Sequence, residues 1–175
     1  MSILPIVTPA GEGDILRFSP TELLMWKATQ ATTGAFDQFE LTAQPNHTGA
    51  PLHVHATVEE CFYVLAGAFR FAVADSEVLA GPGSFLFVPR GTAHTWTNAA
   101  ETPSTMLLTF VPGGMKPFFD EAAPVMHAHP LDLDALTAIN ARHATTVVGP
   151  PLPPGPAPAG RPRGDHLTSG KALPW

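Results

Sequence analysis

The sequence predicts an all-β domain, a small barrel or sandwich, from three observations: the texture of its apolar runs, the regularity of its turns, and its length. From Asp14 onward, short runs rich in β-branched, aromatic and leucine residues alternate with turn clusters, a pattern that argues against βαβ units. Strands are expected over residues 15–18, 23–29, 35–43, 52–55, 60–65, 68–74, 77–80, 84–88, 94–97 and 105–111. Ala74-Asp75-Ser76 reads as a tight hairpin connection, and Gly81-Pro82-Gly83 as a break in which a glycine takes φ above zero. The evenness of these turns suggests a meander. At 175 residues the chain has room for one such domain and not for a second full one.

Four segments are expected: an N-terminal arm over residues 1–22, a β-barrel over 23–112, a helical segment over 113–148 and a Pro/Gly-rich tail over 149–175. The composition changes after Pro112-Gly113-Gly114. A short helix over 115–123 would carry Phe118 and Phe119 as the material of a lid. A second helix over 131–144 places Leu133, Leu136, Ile139 and Ala144 near helical spacing, with Asp132 and Asp134 close to its positive end. Between Gly149 and Gly164 proline and glycine are dense, which favours an irregular surface path.

Nine Lys and Arg against fifteen Asp and Glu leave a formal charge of −6, with no basic stripe of the kind that binds phosphate backbones. Nucleic acid is therefore not an expected partner. The single cysteine, Cys61, cannot form an internal disulfide, which fits a reducing compartment. Met1 to Ala10 lacks a basic flank and carries Pro5 and Pro9, which makes a poor secretory signal, and no apolar run approaches membrane-spanning length. A cytoplasmic protein without a membrane partner is the expectation.

Three histidines and one glutamate stand at spacings that suit a mononuclear metal centre. His53 and His55 flank Val54 in an expected strand, where alternate side chains share a face, so both imidazoles project the same way from Cα atoms roughly 6.5–7 Å apart. Glu60 opens the next apolar run, and parity puts Phe62 and Val64 on its face. His94 follows the turn-forming Pro89-Arg90-Gly91-Thr92, where a third strand can hand in the last imidazole. Three neutral imidazoles and one carboxylate leave a divalent ion at a net charge of about +1, and the set suits Fe, Mn, Ni, Zn or Cu without choosing among them.

These residues fall in two patterns, HXHX4EX6G from His53 to Gly67 and GX5PXGX2HX3N from Gly83 to Asn98. They resemble the two motifs of the cupin superfamily, the second without a mismatch. In the first, Gly49 stands three residues before His53, where the superfamily pattern places its opening glycine five before. The fixed residues of the second motif would arise by chance on the order of 10⁻⁴ per sequence of this composition, so the resemblance is specific. It implies a jelly-roll (double-stranded β-helix) barrel, one bound divalent transition-metal ion and, by analogy alone, a homodimer. The short stretch between the motifs matches single-domain cupins.

The chain further resembles bacterial cupin dioxygenases of the quercetinase type, in which the corresponding glutamate acts as a base; that role falls here to Glu60. The resemblance implies a metal-dependent dioxygenase acting on a small aromatic or enolisable compound. A non-oxidative isomerase, cyclase or decarboxylase that uses the ion as a Lewis acid stays open, as does a cupin that binds a small ligand without turnover. Substrate-lining positions are expected at Gln38 and Glu40, if the even-numbered face of their strand points inward, and at Phe62, Phe87, Trp96 and Met106. His127 and His129 precede Pro130 with no suitably placed glutamate and read as a surface pair, while His47, His143 and His166 are expected to be solvated. Cys61 should face away from Glu60 as a small buried hydrophobe, and Asn98 should fix a turn.

Overall fold

The computed structural model describes residues 4–155, which form two β-sheets and two helices. In chain order the elements are β1 (Asp14–Ser19), β2 (Glu22–Ala28), a single 3-10 turn (Gln30–Thr32), β3 (Asp37–Ala43), β4 (His53–His55), β5 (Glu59–Ala66), β6 (Phe69–Val73), β7 (Ser76–Ala80), β8 (Phe85–Val88), β9 (His94–Asn98), β10 (Ser104–Val111), α1 (Lys116–Met126), α2 (Leu133–Arg142) and β11 (Thr145–Val147). One sheet has the order β1-β2-β3-β10-β5-β8 and the other β11-β4-β9-β6-β7. The expected meander is thereby corrected. Only β1-β2-β3 and β6-β7 lie beside their sequence neighbours, and the chain otherwise passes back and forth between the sheets. Each strand has one apolar face, and crossing from sheet to sheet lets the two inner faces cover each other, as in a jelly roll. The sheets stay open at their edges, so the expected barrel is a two-sheet sandwich. Pairing of β1 with β2 brings residues of the expected arm into the first sheet.

Which face of each strand is inside follows from its apolar set. In β3 the residues Asp37, Phe39, Leu41 and Ala43 are buried, and in β10 Met106, Leu108 and Phe110. The register aligns Trp26 with Phe39 and Phe39 with Leu108, so three strands stack their large side chains in one row. Gln38 and Glu40 consequently face outward, against the expectation that they line the interior. Gln38 Nε2 donates to Thr109 Oγ1 at 3.0 Å, and Glu40 pairs with Lys27 at 3.1 Å. A one-residue change of parity would put Phe39 and Leu41 in water, which decides the matter.

The turn chemistry read from the sequence appears at Ala74-Asp75, which joins β6 to β7 with Val73 opposite Ser76. In the Gly81-Pro82-Gly83 break it is Gly83 that takes the left-handed conformation, at φ 86°. Asp132 caps α2 by accepting from Ala135 N at 2.9 Å. The start of α1 is served from a distance: the buried Asp37 carboxylate accepts backbone N–H groups of Gly114 and Met115 at 2.7 Å and of Lys116 at 3.2 Å. A carboxylate there satisfies donors that a helix start leaves open and complements the positive end of the helix.

β11 was not foreseen. It pairs antiparallel with β4, Thr145 opposite His55 and Val147 opposite His53. Beyond it, residues 149–155 follow an irregular path, held where Leu52 N donates to Pro150 O and the buried Arg70 donates to Pro153 O. The rest of the tail, His166 included, lies outside the described residues. Among the described residues no helix is long and apolar enough to cross a membrane.

Candidate metal centre

Three strands from two sheets deliver the four residues. β4 carries His53 and His55, β9 carries His94 directly opposite His53, and β5 carries Glu60 from the other sheet. One ligand atom from each of the four lies within 4.8 Å of the others. All four are buried, Glu60 to 4% exposure and His94 to 1%. His53 Nε2 stands 3.2 Å from His55 Nε2, and Glu60 Oε2 lies 2.8 Å from His94 Nε2 and 3.4 Å from His55 Nε2.

The outer nitrogens show what this group is suited to. His53 Nδ1 donates to Pro51 O at 2.8 Å and His94 Nδ1 to Thr92 O at 3.0 Å, while His55 Nδ1 meets Thr145 Oγ1 at 2.9 Å. A neutral ring that donates from Nδ1 presents a lone pair at Nε2, so His53 and His94 turn lone pairs toward the centre. At His94 that lone pair faces a carboxylate, which requires either a proton or a cation between them. The donor set is thus short of positive charge, and a divalent ion ligated by three imidazoles and a carboxylate fits it.

The protonation equilibria report the same shortage. Burial, reinforced by the nearby His94 charge, pushes the His53 imidazole down to about 4. Burial also lowers His94, but the hydrogen bond and charge of Glu60 outweigh it and raise the ring above its ordinary value. For Glu60, burial works to raise the carboxyl, and the hydrogen bonds from His55 and His94 reverse this and hold it well below the usual carboxylate range. The carboxylate is therefore ionised at neutral pH.

His53, His55 and Glu60 open onto a cavity of about 360 Å³, walled largely by apolar side chains that include Leu41, Leu108, Phe110, Met115, Phe118 and Phe119. Trp96 lines it, but Phe62 and Met106 sit in the packed core outside it. Phe62 packs on Phe71 and lies 6.3 Å, ring centre to ring centre, from His94, so it supports the His94 ring and does not line the cavity. Phe87 is 54% exposed on the outer surface. The register explains this correction: Glu60 lies opposite Val88, which leaves Phe87, opposite Cys61, on the other face of the sheet. Cys61 does face away from Glu60 but is only half-buried there, its thiol pushed up by burial.

Asn98 fixes its loop through Nδ2, which donates to the carbonyls of Ala43, Gln44 and Thr102, and through Oδ1, which accepts from Ala100 N and Ser104 Oγ. Gly49 has to be without a side chain, because a Cβ there would lie 2.6 Å from the Trp96 ring. His127 Nε2 meets Arg17 O and His143 pairs with Glu121, so neither belongs to the centre. Two residues that sequence reasoning passed over do reach the site. Thr145 holds His55, and its only sequence signal is the β-branched run Thr145-Thr146-Val147-Val148 after a helix. His47, expected in solvent, is buried beside Glu22 on the cavity wall.

The family described as the cupin domain matches residues 39–110, the span that holds all four centre residues. Residues 39–110 form a cupin domain. A curated relative of this cupin, quercetin 2,3-dioxygenase of Bacillus subtilis, is 31% identical over 118 residues, covering 66% of this chain. The cupin spans about a third of that relative's length, 34%. Among solved structures, KdgF from a Halomonas species superposes with a TM-score of 0.55 at 22% identity, covering 61% of this chain and 94% of its own. An RmlC-like cupin from Shewanella frigidimarina gives 0.54 at 17%, covering 63% and 93%. At those identities the likeness is one of fold.

Proposed function

We propose that this cupin is a metal-dependent dioxygenase that inserts molecular oxygen into a small aromatic or enolisable compound. The observation that carries the reading is an ionised carboxylate set among three imidazoles at the wall of a largely apolar cavity. The quercetin 2,3-dioxygenase relative supports it. His53, His55, Glu60 and His94 would hold one divalent transition-metal ion, Fe, Ni, Mn, Zn or Cu. When bound, such an ion supplies Lewis acidity and a binding position for oxygen donors.

The chain's own residues do the rest. Glu60 accepts the proton of a substrate hydroxyl at its carboxylate oxygen. Pro51 O, Thr92 O and Thr145 Oγ1 hold the three rings so that their inner nitrogens stay aimed at the centre. Leu41, Leu108 and Phe110 keep bulk water from the deprotonated substrate, which strengthens every electrostatic contact inside. The test is elemental analysis of the bound metal followed by oxygen uptake with a panel of flavonols. Uptake by the wild type should fall by about 100-fold or more in His94→Ala and Glu60→Gln. Turnover without oxygen uptake would replace this reading with Lewis-acid chemistry, and ligand-induced thermal stabilisation without product would leave a binding protein.

Pairing of two copies belongs to the same proposal. β8 is an edge strand whose outward Phe85 and Phe87 lie beside Tyr63 and Cys61 of β5, a surface suited to a second copy. Sedimentation equilibrium should return twice the chain mass, and a monomer at micromolar concentration would remove this part.

A further inference from the structure

Glu22 and His47 share the cavity with the metal ligands but take no part in the centre. They come from different places in the chain, Glu22 from the start of β2 and His47 from the loop after β3, and both are nearly buried. The His47 backbone is locked in place, its carbonyl accepting from Asn98 N at 3.0 Å and from Thr97 Oγ1 at 2.9 Å, and its ring lies against Trp96 at 5.4 Å. On one side of the ring Nδ1 meets Thr21 Oγ1 at 2.7 Å. On the other, Nε2 stands 3.2 Å from Glu22 Oε2 and makes no hydrogen bond among the described residues. The residue as a whole is 8% exposed. A buried polar atom left this way on a cavity wall is an unmade contact.

Strand register places this pair away from the centre. Glu60 lies opposite Phe110 on β10, whereas Glu22 lies opposite Ala43, which in turn lies opposite Ser104. Phe110 and Ser104 are six residues apart on β10, and on the facing sheet the His47 ring lies against Trp96, two residues along β9 from His94, so about one indole side chain separates the pair from the centre. Between the two rows the wall is apolar, formed by Leu41, Leu108 and Trp96.

We propose that Glu22 and His47 form a polar recognition site, separate from the metal centre on the same cavity wall, for a hydroxyl group at the far end of an otherwise apolar ligand. The carboxylate nearby favours the proton on Nε2, and Nδ1 then accepts from the Thr21 hydroxyl. A ligand hydroxyl at this point donates to Glu22 and accepts from His47 Nε2–H, giving the buried donor the partner it lacks. A ligand that carries only hydrocarbon there leaves both groups unpaired, so the pair selects by rejection. The inference rests on the cavity being the substrate site, and it is independent of whether oxygen is consumed.

The probes are two flavonols, kaempferol and galangin, which differ by one hydroxyl on the pendant ring. Their binding to the metal-loaded protein is measured by calorimetry without oxygen, apart from any turnover assay. The wild type should bind kaempferol about tenfold more tightly, a single charge-assisted hydrogen bond. Glu22→Gln and His47→Gln, which keep the shape of the wall, should each bring the ratio below about twofold while metal content and galangin affinity stay unchanged. Equal affinities in the wild type, binding of neither compound, or a preference that survives both substitutions would overturn the proposal. A preference that is lost as expected in a protein that consumes no oxygen would keep the recognition site and sink the dioxygenase reading.

Discussion

Thr145 shows how much one hydroxyl settles. Its Oγ1 is 2.9 Å from His55 Nδ1, and through that contact the C-terminal segment sets the orientation of a ring from the middle of the chain. Thr145→Val keeps the shape and removes the contact, so affinity for a divalent ion should fall about 10–100-fold while the melting temperature of the metal-free protein changes little. Competition with a chromophoric chelator measures this, and an unchanged affinity would mean that packing alone orients His55. At this scale the four centre residues were legible because strand parity and a turn are local, as in His53-Val54-His55. Gln38 and Glu40 were not, because the facing of β3 depends on Trp26 and Leu108, its partners across the sheet. His47 was misread for a related reason, since its burial comes from Glu22 and Trp96, which lie on two other strands.

Among the elements, α1 has the largest role in shaping the cavity. Phe119 is buried against the rings of Phe18, Trp26, Phe39 and Phe110, with centroids 5.2–6.0 Å apart. Asp37 ties the start of the same helix to the sheet. Phe119→Ala should cost about 3–5 kcal/mol, read from the urea midpoint, because the hole it leaves is bounded by rigid rings that cannot close in. A loss of under about 1 kcal/mol would show that the helix is held by its cap and not by its ring. Both helices were readable from composition and spacing. Their destination was not: the expected lid helix covers the cavity by burying Phe119 in the aromatic cluster, and nothing local in residues 115–123 names those partners.

Taken whole, the molecule places opposing titrations around one point, and the signs separate by pH. With the metal removed, His53 binds its proton less readily in the folded chain than in the unfolded one, its value pushed down to about 4 from the ordinary 6.5. Between those values the unfolded state holds the extra proton, so stability falls as pH falls. His94 is raised, and its contribution is fully present below 6.5. Glu60 is depressed, and its contribution is fully present above the ordinary 4.5. From pH 6.5 down to 4.5, the decline due to these three groups therefore belongs to His53 alone. Urea titrations in the presence of a chelator should show that decline in the wild type and its loss in His53→Gln, and an equal decline in both would contradict the assignment. Adding a divalent ion at about 100 times its dissociation constant should restore about 2.7 kcal/mol, since the ion takes only neutral imidazoles.

Residue spacing by itself determined ten of the eleven strands, the sites of the turns, the superfamily motifs and the four residues that meet, because each of these depends on periodicity and turn chemistry within a few neighbours. Tertiary structure decided which face of each strand looks inward, how strands are dealt between two sheets, and that β11 closes beside His53 and His55. It also placed Glu22 and His47 on one wall. These outcomes turn on which apolar surfaces cover each other, a free energy shared among segments far apart in the chain, and no local pattern records it.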